Sequence, residues 1–257
     1  MEEEVKPNIL SNTTWKLTRS VNYEVAVLPW GATEAHNLHL PYGTDVIIAD
    51  KLSAEAARIA NSDGGKVIVL PTIAYGVNTG QPDVLLDMNL NPSTQLVILR
   101  DLITVLNRQG IFKLVILNTH GGNDFKQMIR ELNVLFPNMF LCQCNSFEIS
   151  GIQAFIELPG GHADEMETSM MLYLAPELVL PLSEAGAGKA KAFSIPALRE
   201  GWVWAERKWT QVTQDTGIGN PERSTKEKGE LIFNHAAKSI ASFLLELQET
   251  SRKDLYK

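Results

Sequence analysis

The sequence has few cysteines, no excess of basic residues and no long apolar run. Its 257 residues include two cysteines, 23 lysines and arginines, and 30 aspartates and glutamates, which give a net charge of −7. This acidic balance argues against a nucleic-acid or anionic membrane surface. No apolar run reaches the roughly 18 residues that a membrane span needs, and the charged N-terminal segment does not resemble a signal peptide.

The two cysteines, Cys142 and Cys144, are expected to be reduced packing residues. Neither a disulfide between them nor a metal site of the Cys-x-x-Cys kind is expected. Free thiols are typical of a reducing compartment, so we expect a cytoplasmic protein. From the charge and the lack of a long apolar run, we expect it to interact with neither nucleic acid nor membranes.

Strand-like and helix-like segments alternate along the first 145 residues. The patterns predict strands at 23–29, 66–71, 112–118 and 139–145, and helices at 45–60, 92–109 and 123–135. Such alternation is typical of βαβ units with right-handed crossovers and a mostly parallel sheet. We therefore expect an α/β protein, with residues 1–257 forming one domain.

The pattern weakens after residue 146. A helix is predicted at 162–175, and a last helix to about residue 250 begins with the capping box Ser224-Thr-Lys-Glu227. The stretch 183–223 has no clear period and contains Trp202, Trp204 and Trp209. Two interpretations stay open for it, a long surface excursion and a lid or subunit contact.

Histidine is scarce and concentrated. The chain has five histidines, and four of them fall in three polar segments, at 34–45, 118–123 and 162–167. The first two segments follow predicted parallel strands, whose carboxyl ends meet at the ligand-binding edge of such a sheet. Imidazole together with carboxylate is the ligand set of catalytic Zn, Mn or Fe sites. The working hypothesis is a two-metal hydrolase.

The first segment is Glu34-Ala-His36-Asn-Leu-His39, followed by Asp45. Glu34 and His36 are two residues apart and can face the same side of an extended segment. A central aspartate such as Asp45 can bridge two metals about 3.5–4 Å apart. The alternative is a polar loop in which Thr44 and Asp45 cap a helix. For His39, contact with a ligand or substrate and plain polar packing remain equally open.

The second segment, Asn118-Thr-His120-Gly-Gly-Asn123, lies at a strand-to-helix turn. The glycines permit close backbone approach to a ligand, and Asn123 is a natural N-cap. The pattern favours His120 as a ligand, and the alternative is a capped turn whose histidine only bonds backbone.

The third segment is His162-Ala-Asp-Glu165-Met-Glu167. In a helix, His162 and Glu165 would share a face, which suits a proton-carrying histidine beside a metal-binding carboxylate. Glu167 is expected to face elsewhere and to orient a ligand. The alternative is an acidic first helical turn favoured by the helix dipole. His235, in the last predicted helix, is expected to be structural.

Together the three segments resemble the creatininase (creatinine amidohydrolase) family. The likeness runs through Leu-Pro-Trp-Gly-Ala-Thr-Glu34-Ala-His36-Asn-Leu-His39-Leu-Pro with Thr44-Asp45, through the second and third segments, and through Thr216-Gly-Ile-Gly-Asn-Pro221 and Lys226-Glu-Lys-Gly-Glu230. It extends from about residue 23 to the C-terminus. The resemblance implies a flavodoxin-like three-layer α/β/α sandwich, a binuclear metal centre with zinc favoured over manganese or iron, and a homo-oligomer such as a hexamer.

The resemblance also implies roles. Glu34 and His120 would bind one metal and His36 the other, with Asp45 bridging. Creatininase takes its last carboxylate ligand two residues after the second-segment histidine, where this chain has Gly122. Members with the His-Gly-Gly-Asn form look as though they use the glutamate that matches Glu165, so Glu165 is the expected last ligand and an assisting base. His162 is the expected general acid.

Two departures bear on the substrate. Members commonly carry His-x-x-Phe-Pro-Gly-Thr after the second strand, and here the segment Tyr75-Gly-Val-Asn78-Thr79-Gly80-Gln81 lacks it. In the second segment, Thr119 replaces the glycine of the usual Asn-Gly-His pattern. The prediction is therefore a metal-dependent amidohydrolase acting on a small cyclic or linear amide, with creatinine disfavoured as the substrate. Alternatives are a deformylase, a small-peptide hydrolase of a biosynthetic pathway, and an oligomeric member that binds metal or ligand without turnover.

Overall fold

Four parallel strands form the centre of the fold. A computed structural model of the protein describes residues 8–251 and 254–256. The strands are β1 (Val25–Trp30), β2 (Val67–Val69), β3 (Lys113–Asn118) and β4 (Phe140–Asn145), and their order in the sheet is β2–β1–β3–β4. Every residue of β1 is buried, as expected for a parallel strand covered on both faces.

Eight α-helices and a small second sheet surround this centre in the described part of the chain. The helices are α1 (Trp15–Thr18), α2 (Thr44–Ser62), α3 (Pro92–Arg108), α4 (Lys126–Leu135), α5 (Glu165–Leu174), α6 (Pro196–Arg199), α7 (Trp209–Val212) and α8 (Lys226–Glu249). Strands β5 (Gly160–His162) and β6 (Ile218–Gly219) pair antiparallel. Short 3-10 turns lie at Leu10–Asn12, Ser146–Glu148, Ile152–Phe155, Pro176–Leu178, Leu182–Glu184 and Pro221–Arg223.

The side chains of the sheet alternate between two apolar layers. Val25 and Val27 of β1 pack with α2, α5 and α8 on one face. Ala26, Leu28 and Trp30 pack with α3 and α4 on the other. The alternating pattern predicted the mostly parallel sheet and the resemblance implied the three-layer α/β/α arrangement, and the structure confirms this fold class. The free thiols Cys142 and Cys144 lie on β4 and pack against the first of these layers.

Helix starts differ most from the sequence-based expectations. Helix α4 begins at Lys126, so Asn123 lies in the preceding turn and is not its N-cap. Helix α2 is preceded by Gly43, and Thr44 is its first residue. Helix α8 is capped by Thr225, whose side chain accepts from the backbone N–H of Lys228, so the expected capping box beginning at Ser224 does not form.

Helix α5 begins three residues later than predicted, and this difference affects the site. Its N-cap is Asp164, whose side chain accepts from the backbone N–H groups of Met166 and Glu167. The preceding residue, Ala163, has φ of 50°, a left-handed conformation that breaks the helix. His162 is therefore the end of β5 and not part of a helix. No helix among the described residues is long and apolar enough to cross a membrane.

Candidate metal centre

The turns that follow β1 and β3 meet at one edge of the sheet. Trp30 and Asn118, the last residues of these strands, are register partners, so the two turns leave the sheet side by side. The first carries Glu34 and His36 and the second carries His120. Asp45 reaches the same place from the first turn of α2.

Five side chains from the three polar segments form one buried cluster. Oε1 of Glu34 lies 2.9 Å from Nδ1 of His120 and 3.6 Å from Nδ1 of His162. Oδ1 of Asp45 lies 3.4 Å from Nε2 of His36, and its Oδ2 lies 3.2 Å from Nδ1 of His120. Glu34, Asp45 and His36 are at most 1% exposed. The structure thus brings together residues that the sequence separates by up to 128 positions.

Backbone carbonyls fix the orientation of both ligand-type histidines. Nδ1 of His36 donates to the carbonyl of Glu34 at 3.0 Å, which turns Nε2 toward the carboxylates. Nε2 of His120 donates to the carbonyl of Val77 at 3.0 Å, which likewise turns Nδ1 toward Glu34 and Asp45. Binding a metal with one ring nitrogen while the other donates to a carbonyl is the usual state of a histidine ligand.

The donor atoms fit a metal ion. Among the described residues, Nε2 of His36 has no hydrogen-bond partner although it is buried, a cost that a bound cation would remove. Three overlapping groups each place their ligand atoms within 4.8 Å of one another. They are Glu34 with His36 and His162, Glu34 with Asp45 and His120, and His36 with Asp45 and Glu167. Asp45 belongs to two of them.

Without a metal, protons and opposite charges hold the cluster together. Burial alone would lower the pKa of His36, but the carboxylates of Asp45, Glu167 and Glu34 outweigh it and raise that pKa to about 10. The pKa of His120 is likewise raised well above its usual range against the effect of burial, chiefly by Glu34 and Asp45. The site therefore carries protons that a metal ion must displace.

Glu165, the expected last ligand and assisting base, does not lie among the donor atoms of this cluster. Its Oε2 accepts from the backbone N–H groups of Glu157 and Leu158 at 3.1 and 2.8 Å. Its Oε1 accepts from Nζ of Lys228 at 2.5 Å. Because its side chain is fully occupied in this way, Glu165 ties α5 to α8 and to the segment before β5.

Glu167 faces the cluster in place of Glu165. Its Oε2 lies 3.8 Å from Nε2 of His36 and accepts from the backbone N–H of Ala163 at 2.5 Å. Burial raises the pKa of Glu167 to about 7, against the opposing charge of His36. The sequence held a signal for this position, because Asp164-x-x-Glu167 is a capping pattern that starts the helix at Glu165. That start places Glu167, and not Glu165, toward the cluster.

His162 lies over the cluster at the end of β5. Its Nε2 donates to the carbonyl of Ala35 at 2.9 Å, and its ring stacks at 4.3 Å on His36. Trp209 meets the ring edge-on, at 5.4 Å between centroids. Burial lowers the pKa of His162, although the carboxylate of Glu34 opposes this.

His39 lies deeper and outside the cluster. Its Nε2 is 2.9 Å from Oγ1 of Thr168, and burial lowers its pKa to about 4. The ring packs as a neutral polar group, which favours the packing interpretation. His235 bonds the carbonyl of Ser150 through Nε2 at 2.7 Å, away from the cluster.

Close contacts in the turn after β3 hold the ring of His120 in place. Asn123 accepts from the backbone N–H of Val77 at 3.0 Å, so it fixes the carbonyl that receives the proton of Nε2. A Cβ on Gly122 would lie 2.4 Å from Nε2 of His120. Gly122 is thus required by close packing, which explains why no carboxylate stands there. Thr119 donates to the backbone carbonyl of Asp45 at 2.9 Å and links this turn to α2.

Sequence reasoning missed one residue beside the cluster. Gln81 donates from Nε2 to Oε2 of Glu34 at 2.5 Å, which turns Oε1 of Glu34 toward the histidines. Gln81 belongs to the segment that lacks the His-x-x-Phe-Pro-Gly-Thr pattern, and nothing in its spacing marked it.

An open cavity of about 480 Å³ leads to the cluster. Glu34, His120 and His162 form its floor, and the segments 77–81, 121–126 and 204–209 contribute to its walls. Within the long stretch 183–223, Trp202 and Trp204 are exposed and Trp209 is buried. Part of that stretch therefore borders the site, which supports the lid interpretation over a plain surface excursion.

Comparisons with known proteins show which family the chain is similar to. The family model for creatininase (creatinine amidohydrolase) matches residues 11–244. A mycofactocin precursor peptide peptidase of Mycobacterium ulcerans is 29% identical over 219 residues, covering 80% of this chain and 79% of that protein.

Solved structures show the same fold. The crystal structure of a protein from Bacteroides fragilis, described as a putative creatinine amidohydrolase, has a TM-score of 0.91 and 39% identity, covering 100% of both chains. A manganese creatininase has a TM-score of 0.75 and 22% identity, covering 95% of this chain and 100% of its own. A mutant creatininase of Zn–Zn type has a TM-score of 0.73 and 22% identity over the same shares. The chain belongs to the creatininase family of hydrolases.

Proposed function

We propose that the protein is a metal-dependent hydrolase that cleaves the C–N bond of an amide. The observation that carries the proposal is the buried cluster of Glu34, His36, Asp45, His120 and His162 with Glu167 beside it, in which both ligand-type histidines turn their second ring nitrogen toward the carboxylates. The restriction to non-peptide amides is not supported, because the mycobacterial relative is a peptidase.

Two divalent ions, with zinc favoured over manganese or iron, are proposed for this cluster. Glu34 and His120 would hold one ion, His36 and Glu167 the other, and Asp45 would bridge them because its two oxygens face different histidines. Bound there, the ions would polarise the amide carbonyl and supply a nucleophile at neutral pH. Solved creatininases with manganese and with zinc support the choice of metals.

His162 is the proposed general acid. Its proton on Nε2 is committed to the carbonyl of Ala35, so Nδ1 is the atom free to take a proton and pass it to the leaving nitrogen. That atom lies 3.6 Å from Oε1 of Glu34, at the floor of the cavity. Glu165 has no part in this step, because Lys228 and two backbone N–H groups occupy its oxygens.

A peptide substrate is the second candidate. The mycobacterial peptidase favours it, and the cavity of about 480 Å³ is open enough for more than a small ring. A family member that binds metal or ligand without turnover is the remaining alternative, and turnover separates it from the other two. Three further points stay proposals: a homo-oligomer such as a hexamer, a single domain over residues 1–257, and a cytoplasmic location. Light scattering on the purified protein tests the oligomer.

Elemental analysis combined with hydrolysis assays tests the proposal. The wild type is expected to bind two ions per chain and to hydrolyse at least one member of a panel of creatinine, formamides, linear amides and short peptides. His120→Ala and Glu34→Gln should lose both properties, whereas His235→Ala, a histidine outside the cluster, should keep them. If the protein binds no metal when metal is supplied in excess, the hydrolase hypothesis is wrong. If it binds its full complement of metal but hydrolyses nothing in the panel, the binding alternative is favoured.

A further inference from the structure

Two cationic side chains, Lys126 and Arg207, line the cavity, and Arg207 is the one that contacts Trp209. Arg207 forms part of the cavity wall above Glu34 and His162, and it is exposed to solvent. Among residues 8–251 and 254–256 it makes no ion pair. The carboxylate of its neighbour Glu206 accepts a hydrogen bond from the hydroxyl of Thr79. An unpaired arginine is notable in a chain whose net charge is −7.

The position of Arg207 is fixed by its surroundings. Its guanidinium lies over the ring of Trp209, 4.8 Å from the centroid, a cation–π contact that leaves the N–H edge free. Trp209 is itself held, because its Nε1 donates to the carbonyl of Thr216 at 3.0 Å and its backbone N–H donates to that of Gly80 at 2.9 Å. An arginine anchored in this way can bind a planar anion without ordering a long flexible side chain.

Gly80 makes this anchoring possible. A Cβ at Gly80 would lie 2.4 Å from the backbone oxygen of Arg207, so only glycine allows the two segments to meet. Gly80 and Gln81 belong to the stretch where the chain departs from the pattern common in the family. The stretch that differs from the family pattern therefore provides both the hydrogen bond from Gln81 to Glu34 and the close backbone contact between Gly80 and Arg207.

The distance from Arg207 to the reacting centre is short. Both groups contact the ring of Trp209, whose centroid is 4.8 Å from the guanidinium and 5.4 Å from that of His162. The guanidinium and the imidazole are thus no farther apart than the sum of these two distances. An extended peptide advances about 3.3–3.6 Å per residue, so at most about three residues fit between the two groups.

We infer that Arg207 binds a carboxylate of the substrate, within about three residues of the amide bond that is cleaved. The inference rests on the proposed hydrolase function and narrows its substrate class to carboxylate-bearing amides. A guanidinium binds a carboxylate through two parallel N–H···O bonds, and the loss of such a charged contact reduces affinity by roughly tenfold or more. Both an N-acyl amino acid and the C-terminus of a short peptide present this group.

Matched probes on the metal-loaded protein test the inference. N-acetylated amino acids and N-acetylated tripeptides are offered with a free C-terminal carboxylate and as the neutral C-terminal amide, and both binding and turnover are measured. The wild type should prefer the carboxylate form by about tenfold or more. Arg207→Gln should remove that preference by weakening only the carboxylate form, and Arg207→Lys should retain part of it. Arg58→Gln, which removes an exposed arginine paired with Glu55 on α2, should change nothing.

The outcomes separate this inference from the proposed function. Equal binding of carboxylate and amide forms by the wild type, or an equal loss of both in Arg207→Gln, overturns the role of Arg207. A carboxylate preference that depends on Arg207 without any turnover supports the subsite and contradicts the hydrolase. Preference for the amino-acid probe over the tripeptide, or the reverse, identifies which source of carboxylate fits.

Discussion

Two histidines at the centre of the site owe their orientation to single backbone carbonyls. His36 donates to the carbonyl of Glu34, and His120 donates to that of Val77. A histidine whose outer nitrogen is committed in this way presents the other as a ligand, without paying for reorientation when a metal arrives.

Gly122→Ala is expected to weaken metal binding through His120. The added Cβ would lie 2.4 Å from Nε2 of His120 and 2.3 Å from the carbonyl of Val77, so the hydrogen bond between them must break. Loss of such an orienting contact typically costs 10- to 100-fold in metal affinity. Competition with a chromogenic chelator measures it.

Gly121→Ala is the matched control, because a Cβ at Gly121 meets nothing within 4 Å. Equal metal affinities for the two variants would show that the carbonyl of Val77 does not orient His120.

Metal binding is expected to release protons. The pKa of His36 is raised to about 10 and that of His120 lies well above its usual range, so both rings are protonated in the metal-free protein at pH 7. A metal must displace these protons, and the affinity should therefore fall as the pH falls. Titration calorimetry at pH 7 in buffers of different ionisation enthalpy counts the protons. Metal binding that is independent of buffer and of pH contradicts the charged cluster.

At the scale of elements, the third polar segment shows what the sequence could and could not predict. The four strands and the helices α2, α3 and α8 follow from hydrophobic periodicity and lie within a few residues of the predicted ranges. The predicted start of α5 is three residues too early. The capping residue Asp164 marks the true start, but the left-handed conformation of Ala163, which ends the preceding strand segment, is not evident from a non-glycine residue. Because of that difference, Glu167 and not Glu165 faces His36.

Variants of these two glutamates test the exchange. Glu167→Gln is expected to lower metal content with little effect on stability, since its carboxylate faces His36. Glu165→Gln is expected to keep the metal and to lose stability, since its carboxylate pairs with Lys228 at 2.5 Å. Metal analysis and urea unfolding are measured on both, and Glu177→Gln, on an exposed 3-10 turn, is the control. Loss of metal in Glu165→Gln alone would restore the sequence-based assignment.

Lys228→Met tests the ion pair between Lys228 and Glu165 separately from the metal site. It leaves the carboxylate of Glu165, which is fully buried, without its charged partner. Breaking a buried pair from one side typically costs about 3 kcal/mol or more. The free energy of unfolding should drop accordingly, whereas metal content should stay at the wild-type level. An unchanged unfolding free energy would show that the pair does not hold α5 to α8.

At the scale of the whole molecule, the cluster joins parts of the chain that the sheet alone does not connect. Its residues come from the turn after β1, from α2, from the turn after β3 and from α5, so a metal would cross-link the carboxyl edge of the sheet to the helix layer that covers it. The sequence could predict that the first two turns meet, because parallel strands end at one edge. It could not predict Gln81 and Arg207, which reach the site through loop contacts that have no period.

Metal removal is therefore expected to lower the stability of the whole fold. A ligand that binds only the folded state, present at a free concentration 100 times its dissociation constant, adds about 2.7 kcal/mol to the free energy of unfolding. The chelated protein should unfold at a lower temperature than the metal-loaded one in scanning calorimetry. His120→Ala should show no metal-dependent shift, and a shift of the same size in that variant would place the stabilising metal elsewhere.

The most direct test of the central claim is a crystal structure of the metal-loaded protein with anomalous data at the absorption edge of the bound metal. The account predicts peaks at coordination distance, about 2.0–2.2 Å for zinc, from Nε2 of His36 and Nδ1 of His120, with Asp45 between them and Glu167 as a ligand. Anomalous peaks absent from this cluster, or a metal held by Glu165, would contradict it.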